Sequence, residues 1–237
     1  MDRKICFVVP MWNQLHYTDQ LITNLNNQTH PKFDIILVDD GSNPPYDMNR
    51  CPDFIKGEVF LVTKPANEGL MRAWNTGAMA AMQLGYDVVL FPNNDITLSP
   101  NLLDTFCDYL DKGFDIITIT APEDPREFPE GVDWKYGFGA TCFCMERKLL
   151  ERRKETLGYY FDPAFRGADH EDYDIMLWII NNKDVKSIRS NSCKAYGNCS
   201  ATARHAEKPN RAYFNQKWGN PIGSEIERLI DTDPQLR

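Results

Sequence analysis

Tyr86-Asp-Val-Val-Leu-Phe91, followed at once by Pro92-Asn-Asn-Asp95-Ile96, is the stretch on which the fold turns. The first half is short, continuous and apolar, which predicts a strand buried on both faces. The second half sets two amides and one carboxylate at the carboxyl end of that strand. Open α/β sheets bind their ligands there, in the crevice beyond the strand ends. Hard oxygen ligands such as Asn93, Asn94 and Asp95 suit Mg²⁺ or Mn²⁺ on a diphosphate. The same triplet is also good turn chemistry, so the neighbouring segments have to decide between the two readings.

Outward from this strand, the first 120 residues alternate strand and helix. Strands are predicted at Lys4–Val9, stopped by Pro10, and at Asp34–Val38, Glu58–Val62 and Asp87–Phe91. Helices are predicted at Leu15–Gln28, Glu68–Leu84 and Leu102–Leu110, the last with Ser99-Pro100 as cap and first-turn proline. This alternation implies right-handed βαβ units and a mostly parallel central sheet flanked by helices, an α/β fold of Rossmann-like type. Beyond Asp115–Thr120 the pattern changes to a proline-rich acidic loop at Pro122–Pro129, a strand at Ala140–Met145 and a charged helix at Arg147–Thr156. A loop then feeds an amphipathic helix ending near Asn182. The tail after Asn191 reads as loop, with short helices near Pro209–Trp218 and Ser224–Ile230. One domain over 1–237 is the economical expectation, with residues 1–98 as a nucleotide-binding half and 99–237 as an acceptor-side C-terminal subregion.

The chain has 237 residues, 42% hydrophobic and 25% charged, ordinary for a globular protein with one sizeable core. No apolar run approaches the ~20 residues of a membrane helix, and the chain runs from Met1 straight into a strand, so a cytoplasmic protein without a membrane span is expected. Seven cysteines without a Cys-x-x-Cys pair, and four histidines without a repeated spacing, point to buried free thiols rather than a zinc site. The net charge of −8 disfavours non-specific nucleic-acid binding. Between Lys183 and Trp218, however, eight basic residues face two acidic ones. That is either a solvated basic face or a lip over a phosphorylated or polyanionic group.

Three further segments carry chemistry. Val38-Asp39-Asp40-Gly41-Ser42 sets two carboxylates after a buried strand, fit to accept hydrogen bonds from a base or ribose, or to make an Asp-Gly turn. In Asn67-Glu-Gly69-Leu-Met-Arg72-Ala-Trp-Asn75-Thr-Gly77, Asn67 is the expected helix cap and Arg72 would meet phosphate oxygens near the helix start. Asn75 in mid-helix calls for a polar partner. Asp169-His-Glu171-Asp172-Tyr-Asp174 crowds four carboxylates at a helix start, more than capping requires, as a general base or cation site would.

Together these segments resemble the family 2 glycosyltransferases of GT-A fold, in particular the rhamnosyltransferase-like branch. The resemblance is carried in order by Val8-Val9-Pro10, Val38–Ser42, the Asn67/Gly69/Ala73/Asn75/Gly77 pattern, Asn94-Asp95 at the place of the family's DxD motif, Gly139–Met145, and Phe161-Asp162 through Asp174. It implies an inverting, metal-assisted transfer of a sugar from a UDP- or dTDP-linked donor to a hydroxyl acceptor: a glycan, a lipid-linked group, a protein or a nucleic acid. It further implies that Pro10, Met11 and Trp12 line the nucleotide pocket and that Asp39 and Asp40 hold base and ribose. Asn67, Gly69, Arg72, Asn75, Asn93 and Asn94 complete the donor side. Asp95 would hold Mn²⁺ or Mg²⁺, and Asp172 would be the catalytic base with Glu171 beside it. Tyr196 stands where many relatives carry a histidine, which leaves His205 as the other candidate metal ligand. Two rival readings are a nucleotidyltransferase, disfavoured by the lack of a glycine-rich phosphate loop after the first strand, and a non-catalytic nucleotide-sugar-binding module, disfavoured by Glu171-Asp172.

Overall fold

The computed structural model describes residues 3–120, 134–135, 138–166, 170–197 and 210–219. Its strands are β1 (Ile5–Met11), β2 (Asp34–Asp39), β3 (Val59–Thr63), β4 (Val88–Pro92), β5 (Ile96–Leu98), β6 (Ile116–Thr120), β7 (Trp134–Lys135), β8 (Cys142–Glu146) and β9 (Ser187–Gly197). Its α-helices are α1 (Leu15–Leu25), α2 (Leu70–Gln83), α3 (Leu102–Asp111), α4 (Arg147–Leu157), α5 (Glu171–Asn181) and α6 (Asn210–Trp218).

All nine strands form one curled sheet in the order β3-β2-β1-β4-β8-β6-β9-β5, with β7 beside β9. β1 to β4 pair in parallel, whereas β8 runs antiparallel between β4 and β6. β9 is parallel to β6 but antiparallel to β5 and β7. The sheet is therefore mixed, all-parallel in its first half and of both senses beyond β4, because β8 is inserted between strands that precede it in the chain. The two halves expected from the sequence share one sheet, joined along β4 and β8.

Period-two alternation explains the layers. Phe7, Val9, Ile35, Leu37 and Leu90 face one side and pack with α1 and α3. Cys6, Val8, Ile36, Val38, Val89 and Phe91 face the other and pack with α2, α4 and α5. Strands buried on both faces carry apolar residues at every position, which is why they read so clearly in the sequence.

Four local expectations are corrected. β1 continues through Pro10 to Met11, since its pairing with β4 ends at Phe7 and Leu90 and the missing N–H falls where only β2 is alongside. Ser99 does not cap α3; Asn101 is the cap residue, and the Ser99 hydroxyl accepts from Lys194 N–H. Asn67 does not cap α2, whose N-cap is Gly69. The stretch after Asn191 is strand as far as Gly197. That strand escapes the sequence because β9 bulges: Ile119 pairs with Ser190 but Thr120 with Lys194, leaving Asn191-Ser-Cys193 to look like a turn.

Candidate active site

The parallel strand order 3-2-1-4 reverses direction between β1 and β4, and a crevice at the carboxyl ends is expected at such a point. Pairing of β1 with β4 stops at Phe7 and Leu90, although β1 runs on to Met11 and β4 to Pro92. Pro10, Met11 and Trp12 border one side of this opening. Asn93, Asn94 and Asp95 border the other. Pro10 and Met11 are buried, while Trp12 is 43% exposed and presents its ring at the surface.

The Asp39 and Asp40 carboxylates are engaged by the protein itself. Asp39 is fully buried and accepts from Ser42 N–H (2.9 Å) and Tyr46 N–H (2.7 Å), folding the loop after β2. Asp40 accepts from the Lys64 ammonium (2.5 Å) and from the N–H groups of Glu68 and Gly69. Asp40, just after β2, thus holds the turn that leads into α2, while Asn67 folds an Asx turn onto Gly69 N–H. Gly41 sits at φ +76°, and a Cβ there would lie 2.3 Å from the carbonyl carbon of Ala66, so its close approach is to this second loop. The Asn13 N–H donates to the Ser42 hydroxyl and the Asn13 side chain accepts from Asn43 N–H, bracing the loop after β1 against the loop after β2. Lys64 was not singled out from the sequence, where one lysine after a strand carries no signal.

The polar partner that Asn75 demands is the backbone before α5. Its amide donates to Phe161 C=O (2.6 Å) and its carbonyl accepts from the N–H groups of Tyr160 and Phe161. This side chain therefore fastens a loop rather than reaching for a ligand. The Phe161 ring packs on Phe91 and Trp74, at 5.0 and 5.2 Å between centroids. The chain leading to α5 is thereby held against β4, four residues before Asp95. Arg72 is exposed on the first turn of α2.

At the start of α5 the carboxylates divide. Asp174 is buried and accepts from Lys217 Nζ (2.7 Å) and Trp218 Nε1 (2.8 Å), both on α6. Lys217 also reaches Asp162 (2.7 Å), which takes Tyr213 OH at 2.9 Å. Burial alone would raise the Asp162 carboxyl, but Lys217, the Ala164 N–H and Tyr213 hold it below the usual carboxylate range. Burial likewise opposes the charge on Lys217, yet Asp174 and Asp162 raise it above an ordinary lysine. Beneath them, buried Arg153 lies over the Trp178 ring at 4.3 Å and is pulled down to about 10 by burial, against the pull of Asp174 and Asp162. One of the crowded carboxylates is thus explained by docking of α6, and Asp169 lies outside the described residues. Glu171 is 8% exposed and Asp172 is half-buried.

Asp95 sits half-buried in the turn between β4 and β5. Asn93 N–H donates to Thr141 C=O, and the Asn94 amide donates to the Thr18 hydroxyl at 3.1 Å. β9 ends opposite Ile96 at Gly197, where a Cβ would lie 2.4 Å from the Asp95 carbonyl oxygen. The carboxyl end of β9 therefore lies beside Asp95, and His205 lies outside the described residues.

Comparison with known proteins places this geometry. The model of the family described as glycosyl transferase family 2 matches residues 6–162, well over half of the chain. The chain belongs to glycosyltransferase family 2. An uncharacterized glycosyltransferase of Rickettsia bellii (strain RML369-C) is 32% identical over 77 residues, covering 32% of this chain and 11% of that protein. Among solved structures, S. aureus TarS 1–349 in complex with UDP-GlcNAc is similar with a TM-score of 0.67 at 17% identity, covering 90% of this chain and 64% of that one. The mannosyltransferase PcManGT from Pyrobaculum calidifontis, in complex with GDP-Man and Mn²⁺, is similar with a TM-score of 0.64 at 17% identity, covering 86% and 59%. These structural likenesses show the GT-A fold. The chain spans about a tenth of the curated relative's length and just under two thirds of the TarS fragment it matches.

For this family 2 glycosyltransferase the donor set tests the implied metal. Among the described residues no three His, Cys, Asp or Glu side chains converge. Asp95 offers one carboxylate, and the Asn94 amide is turned toward Thr18. Such a set fits a magnesium-like ion that takes its other ligands from substrate phosphates and water, not a cation held by the protein alone. Among the described residues no helix is long and apolar enough to cross a membrane. The cysteines read as free thiols are so among the described residues, with Cys6, Cys142, Cys144 and Cys193 buried.

Proposed function

We propose that the protein transfers a sugar from a nucleotide-diphosphate donor to a hydroxyl acceptor with inversion at the anomeric carbon. The observations that support this reading are the place of Asp95, in the turn that follows β4, and the packing of Phe161, on the segment between α4 and α5, against Phe91 of that same strand. Pro10, Met11 and Trp12 form the nucleotide side, with Trp12 available to stack on a base. Asp39 and Asp40 act there by shaping the loop, through its backbone, and not by offering carboxylate oxygens. Arg72, on the exposed first turn of α2, meets the diphosphate. A divalent cation on Asp95 would offset the charge of the departing nucleoside diphosphate.

An acceptor hydroxyl is a poor nucleophile near neutral pH until a carboxylate takes its proton during attack. Asp172 is the base, since Asp174 is committed to Lys217 and Glu171 is the more buried neighbour. Attack from the face opposite the leaving group inverts the configuration. The donor classes carried by the structural neighbours, UDP-GlcNAc and GDP-Man, widen the UDP or dTDP expectation to guanosine-linked donors. The order of the motifs supports the rhamnosyltransferase-like branch. A polyanionic acceptor is less supported than the charge count suggests, because Arg189 is buried and Lys217 is paired.

Release of nucleoside diphosphate from UDP-, dTDP- and GDP-linked sugars, with acceptor glycans and Mn²⁺, tests the reading. Asp172→Asn is expected to lower turnover by about 10²–10⁴-fold while donor binding persists. Turnover of that variant at the wild-type rate removes Asp172 from the mechanism.

A further inference from the structure

We propose that Lys217 is a positioning residue for the transfer reaction: by bridging Asp162 and Asp174 it fixes the rotation of α5 and so presents Asp172 to the cleft. The inference rests on the reading of Asp172 as the base. Successive helix residues are turned by roughly 100°, so Asp174 lies roughly 200° from Asp172 but only about 60° from Glu171. Holding Asp174 inward therefore sends Asp172 outward and draws Glu171 in. The burial follows that order, with Asp174 at 3%, Glu171 at 8% and Asp172 half-buried.

α5 opens with Glu171, Asp172 and Asp174 in its first turn. Its N-cap residue His170 adopts a left-handed conformation and makes no side-chain capping bond. Beside the burial of Ile175 and Trp178, the rotation is held from α6, by Lys217 at 2.7 Å from both carboxylates and by Trp218 Nε1 at 2.8 Å from Asp174. The other contact of Lys217, Tyr159 OH at 3.1 Å, belongs to the loop that Asn75 fastens to α2 and Phe161 packs against β4. One ammonium thus ties three segments: the loop over β4, the first turn of α5, and α6. Two buried carboxylates sharing one lysine, with Arg153 as the second nearby cation, tolerate little rearrangement, because a lost partner leaves a buried charge unmet.

The test compares Lys217→Met and Lys217→Arg in the full chain, assayed well below their unfolding temperatures. Amide hydrogen exchange is read in the first turn of α5 and, as a control, in α2. Turnover is measured with UDP-GlcNAc, GDP-mannose and dTDP-rhamnose. Lys217→Met is expected to lose at least tenfold protection at the start of α5 with α2 unchanged. Its kcat should fall at least tenfold with donor KM within twofold, and Lys217→Arg should restore most of both. Unchanged protection in α5, or loosened α5 with an unchanged kcat, overturns the proposal. If the wild type turns over none of the three donors, the proposed function fails and the catalytic half of the proposal with it, while unchanged exchange in α5 overturns the structural half by itself. Should Lys217→Met not fold, Trp218→Phe removes one bond to Asp174 without removing charge and is judged by the same two readouts.

Discussion

The side chains that look most like ligands in this sequence divide into those proposed to meet substrate and those that hold the frame. Asp40 and Lys64 show the second kind: a buried pair, 5% and 8% exposed, in which the carboxylate also receives the N–H groups of Glu68 and Gly69. Removing one member of a buried pair costs about 3–5 kcal/mol, whereas removing both leaves no unmet charge. Lys64→Met is therefore expected to lose stability on that scale in chemical denaturation, and Asp40→Asn combined with Lys64→Met to recover part of it. A single variant within about 1 kcal/mol of wild type, the range of an exposed pair, would show the pair to be no more than a surface contact. Asp39 follows the same logic, with both oxygens given to backbone N–H groups. At this scale the sequence displayed the carboxylates but not their partners, because Lys64 and Lys217 stand far off in the chain and Tyr46 answers Asp39 through its backbone.

Among the elements, α2 is the one whose packing tolerance is set by a single atom. Gly77 faces β1, and a Cβ added there would lie 2.1 Å from Val8 Cγ1. In an exposed helix interior, Gly→Ala stabilises by about 1 kcal/mol. Here overpacking costs about 1–3 kcal/mol, so the sign reverses. Gly77→Ala should lower the melting temperature, and Val8→Ala in the same chain should relieve part of the loss. A rise in melting temperature for the single variant would mean that α2 shifts freely on the sheet. The strands buried on both faces were legible at this scale, since unbroken apolar runs such as Ile35–Val38 and Val88–Phe91 need no partner to be recognised. β9 was not, because its bulge at Asn191–Cys193 and its pairing with both β6 and β5 depend on strands remote in sequence.

For the whole molecule, the proposed reading puts the donor and metal sides of the site where β1 and β4 part. With Asp95 as the one carboxylate ligand proposed among the described residues, cation and nucleotide sugar are expected to bind together. Titration of UDP-GlcNAc or GDP-mannose, whichever binds, should weaken about tenfold when EDTA replaces Mn²⁺, a change of about 1.4 kcal/mol. Asp95→Ala should bind alike in both conditions. Equal affinity of the wild type with and without the metal would take Asp95 out of the donor site.

The sequence by itself determined which strands are buried, the βαβ order of the first half, and the family motifs at the strand ends, because those depend on local periodicity and chain order. Tertiary structure alone decided that the sheet turns antiparallel at β8, that Asp40 holds the turn into α2, that Asn75 clamps the Phe161 loop, and that Asp174 belongs to Lys217. The reason is physical: a buried polar group is satisfied by whatever the fold brings within about 3 Å. Which residue arrives there is a property of the packed chain and not of any window of it.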